Sequence, residues 1–135
     1  MNRIEDYEVL KKRIVDWLSE YTSNAGITAL VVGVSGGIDS AVSSTLAAET
    51  GLPTYALGMP LLQKPEQENL SDAHLNWLGD NYGNIITEKF DLSNLFEIFR
   101  FTMRNYGTED LALANSRARL RMTTLYQVAQ QVNGI

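Results

Sequence analysis

The chain has 135 residues, no cysteine, a formal net charge of −5, and 44% hydrophobic against 20% charged residues. That balance supports one folded domain over 1–135 and excludes disorder by composition, a disulfide framework and a thiolate metal site. The acidic charge argues against nucleic acid as a partner, and the longest unbroken apolar run, 29–32, is too short to cross a bilayer. The first residues carry no apolar signal-peptide core, so a cytoplasmic location and no membrane partner are expected.

Residues 2–22 read as an amphipathic helix, with Tyr7, Leu10, Ile14, Leu18 and Tyr21 spaced by three and four and Trp17 beside them. Residues 28–34 are β-branched and apolar on both alternating faces, which suits a strand covered on both sides. A helix follows over 39–50, broken by Gly51-Leu52-Pro53, and then a short strand over 54–59. Pro65–Asn81 reads as a helix with Pro65 in its first turn and Leu70, Ala73, Trp77 and Leu78 as its stripe. A third strand lies within 84–91. Leu95, Phe96, Phe99 and Met103 mark a further helix ending near Gly107, and 110–132 forms a long last helix. Strands alternating with helices predict an α/β fold, a parallel sheet with helices on both faces.

In such a sheet ligands settle beyond the carboxyl ends of the strands. Ser35-Gly36-Gly37-Ile38-Asp39-Ser40 lies there, between the first strand and its helix. Glycines allow positive φ, successive amides in such a turn make a nest for anions, and the next helix start points the same way. Ser35 and Ser40 add hydroxyls. Asp39 would repel phosphate unless a cation lay between them, and Mg²⁺ commonly takes one or two carboxylates plus substrate phosphates. Asp39 is therefore a candidate metal ligand, the alternative being an ordinary N-cap or first-turn acid.

This stretch resembles the SGGxDS loop of the N-type ATP pyrophosphatase superfamily, whose members share an adenine nucleotide alpha-hydrolase-like (Rossmann-like) fold. A second stretch, Asn115-Ser116-Arg117-Ala118-Arg119-Leu120-Arg121-Met122 with Leu125-Tyr126, is similar to the N-x-x-A-R-x-R-M-x-x-L-Y helix of the NAD synthetase family. Residues 55–60 are similar to that family's strand near adenine. The resemblance implies ATP contacts at Gly33, Val34, Ser35, Gly36, Gly37, Ile38, Asp39, Ser40, Leu57 and Met59, and a deamido-NAD contact at Arg119. It further implies ATP as substrate with Mg²⁺, ammonia as the nitrogen donor, and a homodimer. The implied reaction adenylates the nicotinate carboxylate of deamido-NAD and displaces AMP with ammonia. Alternatives are another ligase or tRNA-modifying enzyme sharing the loop, and a nucleotide-binding or dimerisation module without turnover. The absence of cysteine argues against thiolation.

Read along the last helix, Ala114, Ala118, Met122, Leu125 and Ala129 form the face expected to pack on the sheet. Arg117 and Arg121 flank it on one side as structural or dimer-facing residues, and Leu113 and Leu120 point to a second apolar surface. His74, the single histidine, is expected to be structural, and Glu66, Glu68 and Asp72 a solvated face. Residues 61–67 fit either a flap over ATP or a plain connector. The resemblance also implies a fold incomplete at its C-terminus, with the first strand left at a sheet edge.

Overall fold

Hydrophobic residues on both faces of a short strand require a layer on each side, and the computed structural model, which describes residues 6–107 and 109–135, has that arrangement. Its elements are α1 (Tyr7–Asn24), β1 (Leu30–Val34), α2 (Ile38–Glu49), β2 (Thr54–Gly58), α3 (Pro65–Asn81), β3 (Ile85–Lys89), α4 (Ser93–Thr102), a 3₁₀ turn (Arg104–Tyr106) and α5 (Asp110–Gln131). The part of the predicted first helix before Asp6 lies outside the described residues. Asp6 caps α1, its Oδ1 accepting from Glu8 N and Val9 N.

The three strands are parallel in the order β1-β2-β3, with Val34, Gly58 and Lys89 in register at their carboxyl ends. Even-numbered residues of β1 and β2 feed one core, where Val34 and Ala56 meet Ala48, Leu75 and Leu78 from α2 and α3. Odd-numbered ones feed the other, where Leu57 meets Leu61, Leu92 and Phe96, backed by Leu113, Leu120, Leu125 and Val128 of α5. As expected, β1 is an outer strand of this sheet. The main chain of 133–135 runs beside it, Val31 N donating to Ile135 O at 2.7 Å and Ile135 N to Ala29 O at 3.2 Å.

Two helix faces differ from the sequence reading. The buried side of α3 is Ser71, Leu75 and Leu78, whereas Leu70 and Trp77 are exposed. A buried serine sits on the core side, and the apolar count alone rotates the helix away from it. On α5, Leu113 and Leu120 pack into the core with Leu125 and Val128, while Ala118 and Met122 face outward. The half-buried Arg117 and Arg121 share the inward side. Arginine stems cover apolar surface as well as an aliphatic residue does, so counting them as polar misplaced the face.

Candidate functional site

The turn after β1 is braced by its own side chains. Ser40 Oγ donates to Gly37 O at 2.9 Å and accepts from Ser35 N at 3.1 Å, and Ser35 Oγ stands 3.1 Å from Ser40 Oγ. The two glycines have different reasons to be there. Gly36 has φ +84°, and a Cβ on it would stand 2.4 Å from the Gln67 carbonyl, so it permits the turn to rest on α3. Gly37 is the N-cap of α2 at φ −89°, an ordinary conformation, so of the two glycines only Gly36 uses positive φ. Only Ser35 Oγ, at 3.5 Å, would meet its Cβ, so Gly37 leaves the mouth of the turn open.

No side chain caps α2, in contrast to α1. Its first-turn amides and the positive end of its dipole are directed out of the carboxyl edge of the sheet. Asp39 lies exposed in that first turn and is not the N-cap. Among the described residues no group of three or more His, Asp or Glu side chains assembles a metal site. Asp39 is one carboxylate of the kind that Mg²⁺ takes together with substrate phosphates.

A cleft of 470 Å³ opens beside the turn, lined by Ser35, Gly37, Leu62, Gln63, Lys64 and Gln67, with Arg117 and Arg121 from α5. Arg121 Nε donates to Met59 O and its Nη2 to Gln63 Oε1, both at 3.0 Å. Arg117 lies over the Phe96 ring at 5.8 Å. Among the described residues, the ion pairs involve other basic side chains and neither of these arginines. Partial burial, together with the positive charge of Arg117, lowers the Arg121 pKa from its ordinary value. A guanidinium stays protonated nonetheless. Two neighbouring cations with no carboxylate partner among the described residues, in a cleft that also takes in Ser35 and Gly37 of the turn, make it receptive to a multiply charged anion.

The candidates from sequence divide accordingly. Ser35, Gly36, Gly37, Ile38, Asp39 and Ser40 come together at the turn. Leu57 is fully buried, and Val34 and Met59 nearly so. None of these three lines the cleft, and the Met59 carbonyl is already held by Arg121. Gly33 faces Met59 and Leu125 in the core. Arg119 is exposed on α5 and does not line the cleft. Arg117 and Arg121, expected to be structural or dimer-facing, line the cleft instead of Arg119, together with Lys64 from the 61–67 segment. The four-residue spacing of the two arginines puts them on one side of α5, which is the signal for their shared place.

His74 lies off the cleft, Nε2 2.8 Å from Ser44 Oγ and its ring stacked on Trp77, and burial lowers its pKa. It joins α2 to α3, the structural part expected of it. The acids of α3 are more than a solvated face, since Lys89 Nζ bridges Glu68 at 2.8 Å and Asp72 at 2.9 Å. These partners raise the Lys89 pKa.

Fold and turn together define an α/β protein of the Rossmann-like class, with an anion-receptive turn at the carboxyl edge of its sheet. A family model described as NAD synthase matches residues 10–135. The chain belongs to the NAD synthase family. It is 38% identical to an NH(3)-dependent NAD(+) synthetase of Carboxydothermus hydrogenoformans, over 95% of this chain and 52% of that protein. It is 35% identical to one from Pyrobaculum aerophilum, over 95% of this chain and 48% of that protein. Among solved structures, the NMN synthetase of Francisella tularensis superposes with a TM-score of 0.85 at 34% identity, over 98% of this chain and 53% of that one. The chain spans about half the length of these relatives.

Proposed function

We propose that the chain carries the ATP-binding portion of an ammonia-dependent NAD synthetase. In this reading ATP adenylates the carboxylate of deamido-NAD with release of pyrophosphate, and ammonia then displaces AMP to form the amide. The observation that carries it is the cleft whose lining joins Ser35 and Gly37 of the turn to Arg117 and Arg121, neither of which is ion-paired among the described residues. The turn and the start of α2 would hold the phosphates through main-chain amides, with Arg117, Arg121 and Lys64 stabilising the charge that leaves with pyrophosphate. Asp39 would hold Mg²⁺, which when bound neutralises phosphate charge. Val34, Leu57 and Met59 would shape the adenine end, and Arg119 would meet the dinucleotide from the outer side of α5. No side chain need act as a nucleophile, since positioning and charge stabilisation suffice.

A second copy of the chain would cover apolar side chains that α4 and α5 leave exposed. Ile98, Phe101 and Leu111 on α4 and α5 are each at least 66% exposed. The accessible surface is 9237 Å², against roughly 7,000 Å² expected for a folded monomer of this mass.

The test incubates the chain with ATP, Mg²⁺, ammonium and deamido-NAD and measures NAD and AMP by chromatography. Equal amounts of both, dependent on ATP and ammonium, support the reading. ATP binding without amide supports a nucleotide-binding module, and absence of ATP binding overturns the phosphate site itself. The 34% identity to an NMN synthetase favours one second reading, amidation of nicotinate mononucleotide by the same chemistry. The same assay with that mononucleotide distinguishes the two by the ratio of kcat/KM.

A further inference from the structure

The glycine turn is seated on α3, and one hydroxyl joins the two. Ser71, 4% exposed, donates through Oγ to the carbonyl of Val34 at 2.8 Å. β2 ends at Gly58, in register with Val34, so this last carbonyl of β1 takes its donor from a side chain beyond the sheet. Gly36, two residues on, lies against the same turn of α3, where a Cβ would meet Gln67 O at 2.4 Å and Ser71 N at 3.2 Å. A little farther along, His74 Nε2 and the fully buried Ser44 Oγ bring α2 and α3 together at 2.8 Å. Ser71 does not line the cleft, so any effect it has on a ligand there passes through the turn.

We propose that Ser71 is a positioning residue for the phosphate-binding turn. An anion nest works only when its N–H vectors converge, and their convergence depends on the peptide planes leading into it. Ser71 fixes the plane between Val34 and Ser35, and the close seat of Gly36 on Gln67 fixes the next bend. Without the hydroxyl, the buried Val34 carbonyl must turn to find another donor, and the amides of the turn tilt with it. α3 is thus the template on which the turn is set. The proposal rests on the reading of the turn as a phosphate site.

Two variants separate this from a general contribution to stability. Ser71→Ala removes the donor, and Leu78→Val trims a core residue near the other end of α3. Two readouts are taken on the full chain: amide exchange at Ser35 and Ala41, both hydrogen-bonded within the turn, and the Kd for magnesium ATP. Ser71→Ala is expected to speed exchange at these two amides about fivefold relative to Val32 in the strand. It is expected to weaken ATP binding about tenfold, and Ser71→Thr to restore both within about threefold. Leu78→Val lowers the Tm and changes neither ratio. Exchange at Ser35 and Ala41 that rises no more in Ser71→Ala than in Leu78→Val overturns the proposal. If the unaltered chain fails to bind ATP, the phosphate reading falls, and the exchange comparison still decides the part played by Ser71.

Discussion

Arg121 and Met59 are 62 positions apart, yet the guanidinium Nε of one donates to the carbonyl of the other at 3.0 Å. With Gln63 on the same guanidinium, α5 holds the segment that follows β2. Whether flap or connector, the segment over 61–67 is tied to α5 through Gln63. Arg121→Ala should cost about 1.5–3 kcal/mol, the range for hydrogen bonds to a charged group. Arg121→Lys should not restore it, because a single ammonium cannot span both acceptors as the planar fork does. Denaturant midpoints and limited proteolysis within 60–64 measure the two effects.

Alanine at the two glycines should act on different properties. Gly36→Ala places a side chain at φ +84° against Gln67 O, and the strained backbone alone costs about 1–3 kcal/mol. Gly37→Ala meets nothing closer than 3.5 Å and should change stability by less than about 0.5 kcal/mol. It should nevertheless weaken ATP binding, since the new methyl stands at the open mouth of the turn. Thermal melts beside isothermal titration separate the two outcomes, and equal loss of Tm in both variants would contradict the described geometry.

Asp39→Asn tests the place of the metal. In the unaltered chain Mg²⁺ should strengthen ATP binding. In the variant that enhancement should vanish, while metal-free binding holds or improves because a negative charge near the phosphates is gone. The loss of a first-turn acid should cost about 0.3–1 kcal/mol of stability. ATP titrations with and without Mg²⁺ read both.

His74 gives the fold a pH dependence of definite sign. Burial lowers its pKa below the ordinary 6.5, so below that pH the unfolded chain binds the proton more readily than the folded one. Its stabilising contribution is present above pH 6.5 and is lost as pH falls from there through the depressed value. The Tm should fall between pH 7.5 and 5.5, by less in His74→Gln than in the unaltered chain. Equal slopes in the two proteins would remove His74 from that role.

The limits of α3 were legible to the residue, because Pro65 starts the helix at a position where its missing N–H is harmless. The alternation of β1 was legible too, since residues facing two helical layers must be apolar on both sides. The turn at Ser35–Ser40 stood out because glycines and an acid at a strand end have few other uses. The placement of Arg119, Arg117 and Arg121 was not legible. One turn of helix carries all three, and which of them meets the cleft depends on a rotation that no local pattern fixes.

The sequence by itself determined the order of strands and helices, the two-sided core and the glycine turn, because φ preferences and alternating burial act over a few neighbouring residues. Tertiary structure alone decided that Ser71 would face Val34, that Leu113 and Leu120 would turn inward, and that Arg121 would reach Met59. Those outcomes depend on how whole helices rotate against the sheet. Alanine, methionine, serine and long arginine stems are each tolerated on either side of a helix, so only the summed packing of distant residues selects the angle.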